Sequence, residues 1–257
     1  MAFSPHAVLA RFFNRRAVAR WRLAANAADT ADLTVLGQQQ HMASQLLRPL
    51  QRLTETAESR LALPRAGSTT FPRPPGTDWS WRPKPWRVRL PEKGLAPALS
   101  KTRLGGDLRI FHDCKNRQIS LRQIRNSGSS DLAPFGLSLE VLRFTGDYLS
   151  LVIEVPPAAC EGLRKKHLIR LAAVIEREQP TKIDARLNIL NGPNTEQILL
   201  TLPDDTADTM VEFDLAYGQL NEKRAERMWI DLMIAAPHMN KIVIRDLNLA
   251  RYPRAEI

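Results

Sequence analysis

Phe111-His112-Asp113-Cys114 sets an imidazole, a carboxylate and a thiol side by side. Nucleophilic catalysis needs a base within hydrogen-bond reach of the thiol. In an extended segment adjacent side chains point to opposite faces, so a base for Cys114 must come from elsewhere, and the four residues read as structural. No Gly-rich phosphate loop, H-E-x-x-H, G-x-S-x-G or EF-hand loop occurs. The five histidines (6, 41, 112, 167, 238) show no metal-ligand spacing, and Cys114 and Cys160 form no C-x-x-C pair. The sequence therefore assigns no catalytic residue, metal or cofactor, and points away from an enzyme.

The binding candidates are aromatic and polar. Trp79, Trp81 and Trp86 lie in Thr-Asp-Trp-Ser-Trp-Arg-Pro-Lys-Pro-Trp-Arg. A solvated linker rarely holds so many aromatics. Either they pin the segment onto the rest of the protein, or they form a platform on which sugars or bases stack. Asn191-Gly192-Pro193-Asn194-Thr195-Glu196 is a rigid polar turn. At a sandwich rim, Asn191, Asn194 and Glu196 are suited to hydrogen-bond a polyol. Arg164-Lys165-Lys166-His167 reads as a solvated basic turn.

The third group is basic. Arg11, Arg15, Arg16, Arg20 and Arg22 precede the first acid, Asp29, and are interleaved with Phe3, Phe12, Phe13 and Trp21. Val8, Leu9, Phe12, Phe13 and Leu23 share one side of a helix, on which Arg16 and Arg20 intrude. Four readings stand: a terminal helix with a solvated basic face, an in-plane helix on an anionic membrane surface, a helix docking on a partner or on the body, and an organellar transit peptide. A secretory signal is not expected, because the basic residues follow the hydrophobic ones and no clean apolar stretch exists. No apolar run is long enough for a transmembrane helix. A cytoplasmic protein, peripheral at the membrane on the second reading, is expected.

These groups are positioned by two unlike halves. Residues 1–100 carry 15 Lys+Arg against 6 Asp+Glu, and residues 101–257 carry 22 against 21. The near neutrality of the second half argues against nucleic-acid binding. Residues 1–63 read as a basic helical segment. Within it, Ala43, Leu46, Leu50, Leu53 and Ala57 form a short seam interrupted by Pro49, which predicts a kink or two shorter helices. Residues 64–100 read as a linker packing on the body, with 8 of the 18 prolines at 64–97. Residues 101–257 show short runs of period-two alternation. In one of them Ile183, Ala185, Leu187 and Ile189 alternate with Asp184, Arg186 and Asn188. Thr145-Gly146-Asp147 predicts a hairpin, and short helices are expected at 157–166 and 218–226. Nine or ten such strands predict a mainly β fold, an antiparallel β-sandwich or jelly roll preceded by N-terminal helices and a Pro-rich linker.

Met228-Trp229-Ile230-Asp231-Leu232 and Ile242-Val243-Ile244-Arg245-Asp246-Leu247-Asn248-Leu249 resemble the last two strands of carbohydrate-binding-module jelly rolls. The whole chain resembles an uncharacterised alphaproteobacterial family with a domain of unknown function. The second resemblance implies no activity; the jelly-roll resemblance implies a non-enzymatic binding or assembly protein that recognises a glycan or protein surface, and the basic N-terminal residues add a tether. The alternatives are a polysaccharide-processing enzyme on the same scaffold, with paired acids roughly 5–10 Å apart, and a nucleic-acid-binding protein acting through the basic front.

Overall fold

The computed structural model describes residues 5–61, 71–116, 118–128, 130–222 and 224–254. The side chains of residues 5–12, 55, 56 and 58–61 lie outside that description. The chain divides into two units, Met1–Glu55 and Thr56–Ile257.

Helices α1 (Pro5–Asn26) and α2 (Leu33–Leu61) build the first unit. Asp32 caps α2: its Oδ1 accepts the N–H groups of Thr34 at 2.8 Å and Val35 at 3.4 Å, two of the donors a helix start leaves unpaired. Those bonds hold its carboxyl below the usual range. Of the two expected outcomes, a kink or two shorter helices, the second does not occur: α2 is one helix with Pro49 inside it. Its seam residues Leu46, Leu50 and Leu53 are exposed.

The second unit carries β1 (Trp79–Trp81), α3 (Lys84–Arg87), β2 (Gly94–Leu95), β3 (Arg103–Leu104), β4 (Leu108–His112), β5 (Ile119–Arg125), β6 (Phe135–Val141), β7 (Leu149–Val155), β8 (His167–Arg177), β9 (Ile183–Asn191), β10 (Asn194–Thr201), β11 (Asp208–Asp214), β12 (Ala225–Ile234) and β13 (Asn240–Pro253). The first sheet has the order β11-β8-β13-β6-β5-β2, with β1 added on β13, and the second has the order β10-β9-β12-β7-β4-β3. Every pairing is antiparallel. This is the predicted mainly β, jelly-roll sandwich. Alternation builds it: Ile169, Leu171, Ile175, Leu247 and Leu249 from one sheet and Leu151, Ile153, Ala185, Leu187 and Ile230 from the other are buried in a common core. Removing such area from water stabilises by about 25 cal/mol per Å².

β13 changes phase midway. Its register shifts between Ile244 and Asp246, so Ile242 and Ile244 face inward before the shift and Leu247 and Leu249 after it. Asp246 and Asn248 are thereby placed on the outer side of the first sheet, where both are buried. The proline-rich segment covers them. Arg82 forms a bidentate pair with Asp246, and the Trp86 indole N–H donates to the Ile244 carbonyl at 2.9 Å. Gln123 donates to the carbonyls of Pro85 and Val88. Residues from Phe71 onward are thus bonded into the sandwich.

Three local expectations are corrected. Thr145-Gly146-Asp147 does not close a hairpin: β6 and β7 belong to different sheets, and the segment crosses between them. Asp113 shapes that crossing by accepting the N–H groups of Asp147 at 2.9 Å and Tyr148 at 3.2 Å. In place of a helix at 157–166, a single 3-10 turn spans Pro157–Ala159. No helix occupies 218–226 among the described residues: a 3-10 turn ends at Tyr217 and β12 opens at Ala225. Cross-strand pairing with β9 claims Ala225 and Arg227. No described helix is long and apolar enough to cross a membrane.

Candidate functional site

The outer face of the second sheet is open and lies over the strands whose polar residues alternate with the core. Strand register fixes its layout. One row runs Leu199, Arg186, Asp231, Val152, Arg109, Arg103 across β10, β9, β12, β7, β4 and β3. Beside it runs Gln197, Asn188, Trp229, Glu154, and on the other side Thr201, Asp184, Met233, Ser150, Phe111. A groove of about 650 Å³ lies over these rows, with Tyr148 and Asp147 at its rim. Trp229 lines it half-buried, toward the Arg227 end, and Tyr148 is exposed.

The charged groups are pre-paired. Buried Asp231 accepts from Arg186 Nε at 3.0 Å and Nη2 at 2.6 Å, and from Asn188 Nδ2 at 3.1 Å. Gln197 donates to Asn188 Oδ1 at 3.0 Å, extending the network to β10. Glu154 is gripped by Arg227, with Nε at 3.1 Å from Oε2 and Nη2 at 2.6 Å from Oε1. Arg227 also lies 5.2 Å from the centroid of the Trp229 ring. Burial pushes the Asp184 carboxyl up, but hydrogen bonds from Thr201 (2.6 Å) and the Lys182 ammonium (3.0 Å) outweigh it and hold the group below the usual range. The result is an amphipathic surface: one indole and two further aromatics amid fixed donors and acceptors. Among the described residues no group of three or more His, Cys, Asp or Glu is arranged to hold a metal ion.

The sequence-nominated residues lie elsewhere. Trp79 and Trp81 pair with Arg251 and Leu249 and, like Leu249, face inward. Their rings stack at 6.4 Å and pack against the core. Trp86 is fully buried. Asn191 and Glu196 fall in the inward phase of β9 and β10 at the sandwich rim. Asn191 donates to Gln219 O at 3.3 Å and Glu196 accepts the Gln219 N–H at 3.1 Å. Asn194 is exposed at the β9–β10 hairpin, whose Gly192 adopts φ +62°, a value suited to glycine. None of the six enters the groove. In α1, Phe13, Arg15, Arg16, Arg20 and Arg22 are exposed and Trp21 is half-buried. The side chains of Arg11 and Phe12, and all of Phe3, lie outside the described residues. His112 is buried with Nε2 3.0 Å from the Ala98 carbonyl, and Cys114 sits beside the Thr145 N–H at 3.4 Å. Both cysteines are unpaired.

Sequence reasoning missed Trp229, Asp231, Glu154, Arg186 and Arg227 as a set. The available signal was the polar phase Asp184, Arg186, Asn188: opposite charges recurring at period two on a face that must be exposed.

A family model described as "Family of unknown function (DUF6478)" matches residues 1–257. The chain belongs to that family. No curated protein matches it. Among solved structures, the DUF6478 chain is similar to the family 11 carbohydrate-binding module from Clostridium thermocellum in complex with a β-1,3-1,4-mixed-linked tetrasaccharide. Identity is 15% and the TM-score 0.39, over 62% of this chain and 96% of that one. It is similar to the enzymatically active domain of tailspike protein 4 of bacteriophage CBA120, with 8% identity and a TM-score of 0.40 over 60% of this chain; the match spans 22% of the tailspike chain. TmCBM61 in complex with β-1,4-galactotriose follows, with 13% identity and a TM-score of 0.35 over 57% of this chain and 88% of that one.

Proposed function

We propose that the open face of the second sheet binds a glycan, and that the chain is a binding or assembly protein. The observation that carries this reading is Trp229 in the wall of the groove, beside the Arg227–Glu154 and Arg186–Asp231 pairs. A sugar ring has an apolar C–H face and a rim of hydroxyls. The first stacks on an indole, and the second finds charge-assisted partners already in place, so little side-chain entropy is lost on binding. The test is calorimetric titration of the full chain against neutral and acidic oligosaccharides. Trp229→Ala should abolish binding and leave the melting temperature nearly unchanged. Equal binding by the variant removes this face from the function, and absence of binding by the native chain removes the glycan reading.

A polysaccharide-processing enzyme is the second reading. Glu154 and Asp231 are diagonal neighbours on β7 and β12, a relationship of about 7–8 Å that overlaps the separation in inverting glycosidases. Both carboxylates are already engaged by guanidinium groups, which favours binding over turnover. Release of reducing ends by the native chain, lost in Glu154→Gln, would establish the enzyme instead.

The exposed arginines of α1 fit a tether to an anionic surface. On this proposal the helical unit locates the protein and the sandwich holds the glycan.

A further inference from the structure

Three guanidinium groups belong to the outer face near β4, and they are not equivalent. Arg227 is bound to Glu154 through two nitrogens. The Arg109 guanidinium makes no hydrogen bond among the described residues; its charge partner is the same Glu154, at 3.9 Å. Its Nε is buried and unpartnered. Arg103 stands directly across the β3–β4 ladder from Arg109 and points to the same outer face, because Leu104 beside it is fully buried inward. Arg103 is exposed and has no charge partner among the described residues. Lys101, two residues earlier, is exposed as well. Asp107, in the β3–β4 turn, accepts the Lys84 backbone N–H at 2.8 Å through its carboxylate.

Like charges directly opposite each other on a ladder repel. Exchanging either arginine for a neutral residue would relieve this, yet the chain sets two there, beside an aromatic groove. An oxyanion between them would turn the repulsion into attraction, since a guanidinium fork matches a carboxylate or sulfate with two parallel N–H bonds. Phe111 follows Arg109 by two residues on the same face and lines the groove. It offers an apolar surface to a ring whose anionic substituent reaches the arginines. Ser150, opposite Phe111, has a buried hydroxyl without a partner, a further polar group left over at this end of the groove. At the other end the charges are complete: Arg186 is bound to Asp231, and Lys182 to Asp184.

We infer that the β3–β4 edge of the groove is an anion subsite, and that the glycan held there carries an acidic substituent on its sugar, a uronate carboxylate or a sulfate ester. This rests on the glycan reading of the same face and adds the ligand's charge.

The experiment titrates the full chain with three probes: an oligogalacturonate, a sulfated oligosaccharide and a neutral oligoglucan. At least one acidic probe should bind roughly tenfold or more tightly than the neutral one, and salt should weaken it by screening. Which acidic probe binds separates carboxylate from sulfate. Arg109→Gln should lower acidic binding about tenfold, and Arg109→Lys should recover part of it, because the charge returns without the fork. Arg103→Gln should act in the same direction. Arg245→Gln, which removes an arginine paired with Glu176 on the first sheet, should leave binding unchanged, and melting curves of all variants check folding. Preference for the neutral probe, or acidic binding insensitive to Arg103 and Arg109, overturns the anion subsite and leaves a glycan face. No binding of any probe overturns both.

Discussion

Arg82 and Asp246 stand 164 residues apart in the chain and meet as a buried bidentate pair, Nε to Oδ1 and Nη2 to Oδ2, each at 2.8 Å. Arg82 is 2% exposed, and its guanidinium carbon lies 5.0 Å from the centroid of the Phe71 ring. The pair ties the proline-rich segment to the last strand, at the point where the β13 register shift exposes an acid to the outer side. A segment with little regular hydrogen bonding of its own is held by long-range contacts, this pair and the Arg251–Asp78 pair at 2.8 Å among them.

Removing one partner should therefore be costly. Asp246→Ala takes the bidentate carboxylate away from a buried guanidinium, a change that typically costs about 3–5 kcal/mol. The double variant Arg82→Met/Asp246→Leu should recover most of that loss, because a packed apolar pair needs no desolvation. Urea unfolding of the two singles and the double closes a thermodynamic cycle. A loss below about 1 kcal/mol for Asp246→Ala would mean that the contact orders the segment without stabilising it.

The tryptophans should rank by burial. Trp86 is fully buried and its indole N–H is bonded to Ile244, so Trp86→Ala should cost about 3–5 kcal/mol. Trp79 and Trp81 are half-buried and should each cost less. Thermal melts of the three variants give the order. Equal losses would mean that the segment detaches as a unit whichever anchor is cut.

Acid should weaken the fold in two windows. Burial pushes the His167 imidazole below its ordinary value; Asp78 opposes this, while Arg251, Lys166 and Arg164 add to it. Its Nδ1 accepts the Arg164 N–H at 3.1 Å, a role open to the neutral ring. The unfolded chain then binds a proton more readily than the folded one. The stability from this group is complete above about pH 6.5 and is lost as pH falls below that value. The carboxyls of Asp184 and Glu212 are also held low, and their contribution fades only below about pH 4. His167→Gln should flatten the stability curve just below about pH 6.5 and leave the lower limb in place. An unchanged upper limb would assign that loss to other groups.

The strands were legible because alternation is a local signal. Ile183, Ala185, Leu187 and Ile189 announce a half-buried strand without reference to any other residue. Which sheet a strand joins is not local: Thr145-Gly146-Asp147 looks the same whether it closes a hairpin or crosses between sheets. The groove was illegible for the same reason. Arg186, Asp231, Glu154 and Arg109 come from four strands, and only the order β9-β12-β7-β4 makes them neighbours. Trp79 and Trp81 drew attention because they are close in sequence, whereas Trp229 sat alone on β12.

The basic N-terminal helix carries the last prediction. In α1, Phe13, Val18 and Leu23 are 64%, 49% and 70% exposed, and Arg15, Arg16, Arg20 and Arg22 are exposed among them. Arginines near an anionic bilayer each gain about 1 kcal/mol, and the apolar residues add insertion at the headgroup boundary. The full chain should co-sediment with vesicles containing anionic lipid and much less with neutral ones, and salt should release it. Arg15→Glu/Arg22→Glu reverses two charges on an exposed helix, so it should abolish vesicle binding without changing the melting curve or the glycan titration. Equal sedimentation with both vesicle types, or with neither, would leave α1 as a helix for a protein partner. Loss of glycan binding together with vesicle binding would mean that the two units do not act separately.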